Sequence, residues 1–340
     1  MKKQLALFLQ IILPVISFCQ QAPVYLIDSP YTADASVHVF NNTIFIYPSH
    51  DIETGIRDGK DGAHYNMADY HVFSMDSING KVKDHGVVLA LLGIPWAGKQ
   101  LWAPDCAFKK GTYYLYFPAK DRNGVFKTGV AISRKPQGPF KAKKEPIAGS
   151  YSIDPAVFKA TDGNYYMYFG GISGGQLHWY RNNTLTGNNS EPTKDSNALC
   201  PKIAKLSSNM LSFAEAPRDV AILDKNRMPL KAGDHDRRFF EGAWLHQYNG
   251  KYYLSYSTGN THKLVYAMGD DPYGPFIFEG EILSPVTGWT THHSIVEIKG
   301  KWYLFYHDTK RSGKNYLRSV KYRPLQYNAD GSIQAMNGLD

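Results

Sequence analysis

Three acidic residues, far apart in this sequence, hold the same place relative to a recurring pattern. Asp34 opens the run ASVHVF, Asp154 the run PAVFKA and Glu241 the run GAWLHQY. Asp105, before CAFKK, and His292, before His293 and SIVEIK, hold that place in two further runs. Carboxyl groups forced together cannot all ionise, so their pKa values separate and create proton-donor and proton-acceptor roles. Taken singly, Asp34 and Asp154 have a plainer reading as turn residues before a strand, and Asp154 is followed by Pro155. Glu241 resists that reading. Beside Phe239, Phe240 and Gly242, apolar surroundings keep a carboxyl protonated near neutral pH, and an unpaired acid there is costly as structure alone. The chemistry therefore depends on whether a shared register brings these residues together.

The elements that must do so are repeats. A turn residue followed by an aromatic-rich strand appears as NNTIFIY at 41–47, GTYYLYF at 111–117, GNYYMYF at 163–169, GKYYLSY at 250–256 and GKWYLFY at 300–306. Each follows one of the five runs above across a Gly or Asn turn, which predicts five hairpins. Two Gly-Pro-Phe segments, SRKPQGPF at 133–140 and DDPYGPF at 270–276, follow strand-like runs and predict further strands in those units. Five units of three or four strands, with no long helical periodicity, predict an all-β five-bladed β-propeller. A sandwich or solenoid would not place the opening residue of every unit at one end of a central channel. The polar segment 183–238 reads as an inserted loop with strands around PRDVAILD, and such a loop is expected to help close a site.

With 340 residues the chain can bury a sizeable core without staples, and 24 tyrosines suit both pleated sheets and sugar rings. The net charge of +8 is scattered rather than clustered, so a nucleic-acid surface is not expected. Lys2 and Lys3 precede an apolar run from Leu5 to Phe18, read as a signal peptide over residues 1–19 of a secreted or periplasmic protein. The alternative is a lipid anchor on Cys19, although bulky Phe18 stands where a lipidation signal wants a small residue. Residues 20–340 then form one propeller domain with no membrane span. Cys106 and Cys200 either pair or stay free, and nothing specifies an oligomeric state.

The ordered motifs ADASVHVF, DYHVFS, LWAPDCAF, SIDPAVF, FFEGAWL, HHSIVE and YLRSVKYRPLQYNADGSI resemble glycoside hydrolase family 43 over nearly the whole mature chain. The resemblance implies an inverting glycosidase acting on arabinose- or xylose-containing oligosaccharides or polysaccharides. It implies Asp34 as general base, Asp154 as the carboxylate that orients and raises the acid, and Glu241 as general acid. Ala35 stands where the family often has Pro. His292 matches a channel histidine that holds a calcium or other ion through water in many members, and no cofactor is required for the chemistry. Adjacent strand residues face opposite sides, so His293 points away from the channel if His292 faces it. Trp102 is either core or a sugar platform, and Arg318 either a sugar contact or structural. Asp105 is expected to brace its blade, and Asp51 and Glu53 to lie in an outer loop. Endo-acting arabinanase or xylanase activity and a non-catalytic carbohydrate-binding propeller are the alternatives.

Overall fold

The aromatic repeats are the second strands of five antiparallel sheets set around an axis. The structure is a computed structural model that describes residues 22–339, so the expected signal segment and Cys19 lie outside the described residues. The innermost strands are Thr32–Phe40, Asp105–Lys109, Ala156–Lys159, Phe239–Tyr248 and Ser294–Ile298. They touch one another in cyclic order, the fifth returning to the first. The fold is the five-bladed propeller that the repeats predict.

Packing explains the aromatic density. A middle strand of a blade is covered on both faces by neighbouring blades, so alternate side chains enter different cores. In Thr112–Asp121, Tyr113, Leu115 and Phe117 pack toward the first blade, while Tyr116 packs toward the third. In Lys301–Asp308, Tyr303 and Phe305 face the first blade, and Leu304 and Tyr306 the fourth. Both Gly-Pro-Phe segments connect third to fourth strands, in the second and fourth blades.

The ring is closed by the two ends of the chain. Val24–Tyr25 pairs antiparallel with Ser319–Leu325 and completes the fifth blade. The segment 183–238 supplies the outer strands Lys202–Lys205 and Arg218–Asp219 of the third blade. It then crosses to the fourth blade, where Ile222–Leu223 pairs parallel with Phe276–Leu283. Cys106 and Cys200 are free.

Candidate active site

The register brings the acids together. Asp34, Asp154 and Glu241 all line one cavity of about 340 Å³ at the mouth of the channel, with Trp102, His292 and Arg318. Local backbone irregularity aims them. In the first inner strand the pairing register slips between Ala33 and Ser36. In the fourth it slips on both sides of Glu241. Such bulges turn a side chain away from the regular alternation of a strand. Asp34 and Asp154 have φ of 52° and 58°, a left-handed backbone that non-glycine residues adopt at a cost and that concentrates at functional sites. Gly242 has φ 67°, and a Cβ there would come within 3.1 Å of His292 Cδ2. Glycine adopts this turn without strain or crowding, and the turn points the Gly242 N–H at Asp154 Oδ2, 3.0 Å away.

The three carboxyls are chemically alike, but their neighbours differ. Arg318 donates to Asp34 Oδ1 at 2.9 Å, and the Ser49 hydroxyl donates to Oδ2 at 2.6 Å. Burial alone would raise Asp34, yet facing cationic and imidazole groups overcome it and hold the carboxyl at about 2. Arg318 is the charged member of that group at neutral pH, because burial depresses His307 to about 3 and also lowers His292. Glu241 forms no ion pair with Lys or Arg among the described residues, and Arg318 lowers it only at longer range. Burial, reinforced by the negative charge of Asp34, pushes it up to about 8. Burial together with Glu241 and Asp34 raises Asp154 well above its ordinary value. One carboxylate is thus held ionised, and two are pushed toward the protonated form.

Arg318 is fixed by a residue expected elsewhere. Asp51 is not in an outer loop: it is buried, and it accepts from Arg318 Nε, from a terminal guanidinium nitrogen and from the backbone N–H, each at 2.8 Å. Glu53 does lie outside, bound to Lys314 and Tyr316. The reason is antiparallel geometry, since the end of a second strand returns to the face where the first began. His307 arrives by the same route in the fifth blade. Its Nδ1 accepts from the Asp34 N–H at 3.1 Å, and its Nε2 lies 3.1 Å from the Thr290 carbonyl, so the proton is on Nε2. The repeated strand ends SHD and YHD at 49–51 and 306–308 were the available signal.

The other expected residues divide as follows. Trp102 lines the cavity, donates Nε1–H to the Tyr65 carbonyl at 2.6 Å and packs against Gly62. Asp105 accepts from Ser36 and His38 of the first inner strand and from the Val157 N–H of the third, so it braces three blades. His293 points away, to Ser255 at 2.6 Å. No residue of 183–238 lines the cavity, which corrects the expectation that this insertion closes it. The wall comes instead from 58–67, 172–175 and 289–290. Trp289 and Tyr65 in that wall carry no repeat register, so the sequence pattern did not single them out. His292 lines the channel with Nδ1 buried and without a partner among the described residues, and its Nε2 is 4.0 Å from Asp154. One imidazole does not meet the six to eight oxygen ligands that calcium takes, so an ion there would keep most of its water shell.

A propeller mouth with one carboxylate held ionised and a facing carboxyl pushed toward its protonated form has the base and acid of a glycosidase that hydrolyses O-glycosyl compounds. The sequence matches the glycosyl hydrolases family 43 over residues 81–333, and the chain belongs to that family. It is 58% identical to a xylosidase/arabinosidase of Bacteroides ovatus, over 93% of this chain and 98% of that protein. A GH43 beta-xylosidase/alpha-arabinofuranosidase from a compost microbial metagenome, in complex with xylotriose and in calcium-free form, superposes with a TM-score of 0.92. That pair is 56% identical over 94% of this chain and 98% of the other. A GH43_1 enzyme from Xanthomonas citri complexed with xylotriose gives 0.89, at 51% identity over 93% and 94% of the chains.

Proposed function

We propose that this protein removes terminal pentoses, β-D-xylosyl and α-L-arabinofuranosyl, from plant oligosaccharides with inversion. The observation that carries the reading is the opposed bias of two carboxyls in one cavity, Asp34 ionised by Arg318 and Glu241 kept protonated by burial. Asp34 takes a proton from water as that water attacks the anomeric carbon. Glu241 gives its proton to the departing glycosidic oxygen on the other side of the sugar. Asp154, bound to the Gly242 N–H, holds the turn that presents Glu241. Trp102 offers an apolar face to the ring.

The names of the close relatives support the two pentoses. A hydrated calcium ion on His292 belongs to this reading as a structural element of the channel, as does export directed by residues 1–19. Proton NMR of xylobiose hydrolysis tests the reaction. The first xylose released from the non-reducing end is expected as the α-anomer. Release of β-xylose first would show retention and remove Asp34 from the role of base.

A further inference from the structure

A second convergence of ligating side chains lies in the first blade, outside the catalytic cavity. Ladder pairing between Thr43–His50 and Asp69–Met75 runs from Ile44 and Met75 to Ile46 and Phe73, where it stops. Pro48, two residues on, has no N–H to continue it. Beyond that point the strand ends meet through side chains, with His50 Nδ1 2.5 Å from Asp69 Oδ1. His71 follows Asp69 by two residues and so shares its face of the strand. Its ring stands edge-on to that of His50, with centroids 4.7 Å apart. On the next strand, Asp84 holds His71 Nδ1 with both carboxylate oxygens, at 3.0 and 3.1 Å. One ligand atom from each of His50, Asp69 and His71 lies within 4.8 Å of the others.

We propose that His50, Asp69 and His71 bind a divalent transition-metal ion of the zinc class, with water completing its shell. Two imidazoles and one carboxylate are the donor set that such ions prefer, whereas calcium and magnesium take oxygen. Ligand atoms around tetrahedral zinc stand roughly 3.3 Å apart, which small side-chain rotations reach from the present spacing. Asp84 is the outer carboxylate that fixes a metal-bound histidine: accepting Nδ1–H, it leaves Nε2 of His71 for the ion. As the metal takes its place between His50 and Asp69, the His50 proton passes through solvent from Nδ1 to Nε2, so that His50 binds as a neutral imidazole.

None of the three residues lines the catalytic cavity, and the site is distinct from His292 in place and in ligand chemistry. Its position gives it a purpose. His50 stands between Ser49, which donates to Asp34, and Asp51, which clamps Arg318. An ion here pins together the strand ends that carry both, where backbone hydrogen bonds no longer do.

The test is zinc titration of the chelator-stripped full chain by calorimetry, with cobalt substitution read from its visible absorption. Wild type should take up about one equivalent at this site. His71→Gln and Asp69→Asn should weaken binding by ~100-fold or more, and Asp84→Asn by roughly 10–100-fold. His292→Ala should leave the site's affinity unchanged. If His71→Gln or Asp69→Asn does not fold, Asp84→Asn, whose carboxylate is more than a third exposed, carries the test alone. Zinc affinity unchanged by these substitutions, or no saturable binding in wild type, overturns the proposal and leaves two metal-free histidine–carboxylate hydrogen bonds.

Discussion

Glu241→Gln separates proton donation from everything else that Glu241 does. Moving this carboxyl from its ordinary 4.5 to about 8 is a difference of ~5 kcal/mol between its two protonation states, at about 1.4 kcal/mol per pH unit. At pH 7 a group at about 8 is roughly nine-tenths protonated, whereas one at 4.5 is protonated in about 0.3% of molecules. The fold thus raises the competent form ~300-fold. Glutamine keeps the size and neutrality but has no acidic proton to give. Hydrolysis of xylobiose, whose leaving alkoxide needs that proton, should fall by ~10²–10⁴ in kcat. Hydrolysis of p-nitrophenyl xyloside, whose leaving group departs as a stable anion, should fall far less, and its alkaline limb near pH 8 should disappear. A raised carboxyl also contributes stability that is full below pH 4.5 and is lost as pH rises to about 8. The variant, neutral at this position, should therefore lose that share of the fall in Tm and exceed wild type by several degrees at pH 8. Equal losses on the two substrates, or a variant whose Tm follows the wild-type curve, would refute the assignment.

Asp34→Asn should abolish turnover on both substrates, by ~10³-fold or more, since water activation is needed whatever leaves; single-turnover assays on the aryl xyloside check it, and retained activity moves the base elsewhere. Asp51→Asn should lower stability by ~3–5 kcal/mol, because it leaves Arg318 buried with half its counter-charge. It should also lower kcat through the shared guanidinium, whereas Glu53→Gln at the exposed rim should leave both denaturant midpoint and kcat unchanged. Trp289, half exposed at the cavity rim with its ring centroid 4.3 Å from that of His262, is placed to stack a sugar beyond the scissile bond. Trp289→Ala should raise KM for xylotriose with kcat on the aryl xyloside intact, and an unaltered KM would place that sugar elsewhere.

The fold was legible because a propeller repeats one packing problem five times. Each middle strand is buried on both faces, so the aromatic run recurs, and the residue before each inner strand falls at one rim. That register placed Asp34, Asp154 and Glu241 in a common cavity. It hid Asp51 because a residue following a strand was read as leaving the site, when the hairpin had turned it back. His307 was hidden for the same reason, although HD closes the strand in both blades. The wall of the cavity was not legible, since loops such as 58–67 answer to no periodicity. The segment 183–238 misled because its polarity reflects exposed irregular chain around 186–200, on the outer side of the third and fourth blades, rather than a lid.

The repeat by itself makes the acids equivalent, and an equivalent set has no donor and acceptor. Arg318 breaks that symmetry. It precedes the third strand of the fifth blade, which neighbours the first blade in the ring, so its guanidinium reaches Asp34 and Asp51 on that side. Glu241 and Asp154 come from the fourth and third blades, and among the described residues neither pairs with Lys or Arg. The side of the cavity with the cation therefore carries the ionised base, and the side without it carries the acid. Moving the cation across the cavity would exchange the biases without altering any carboxyl.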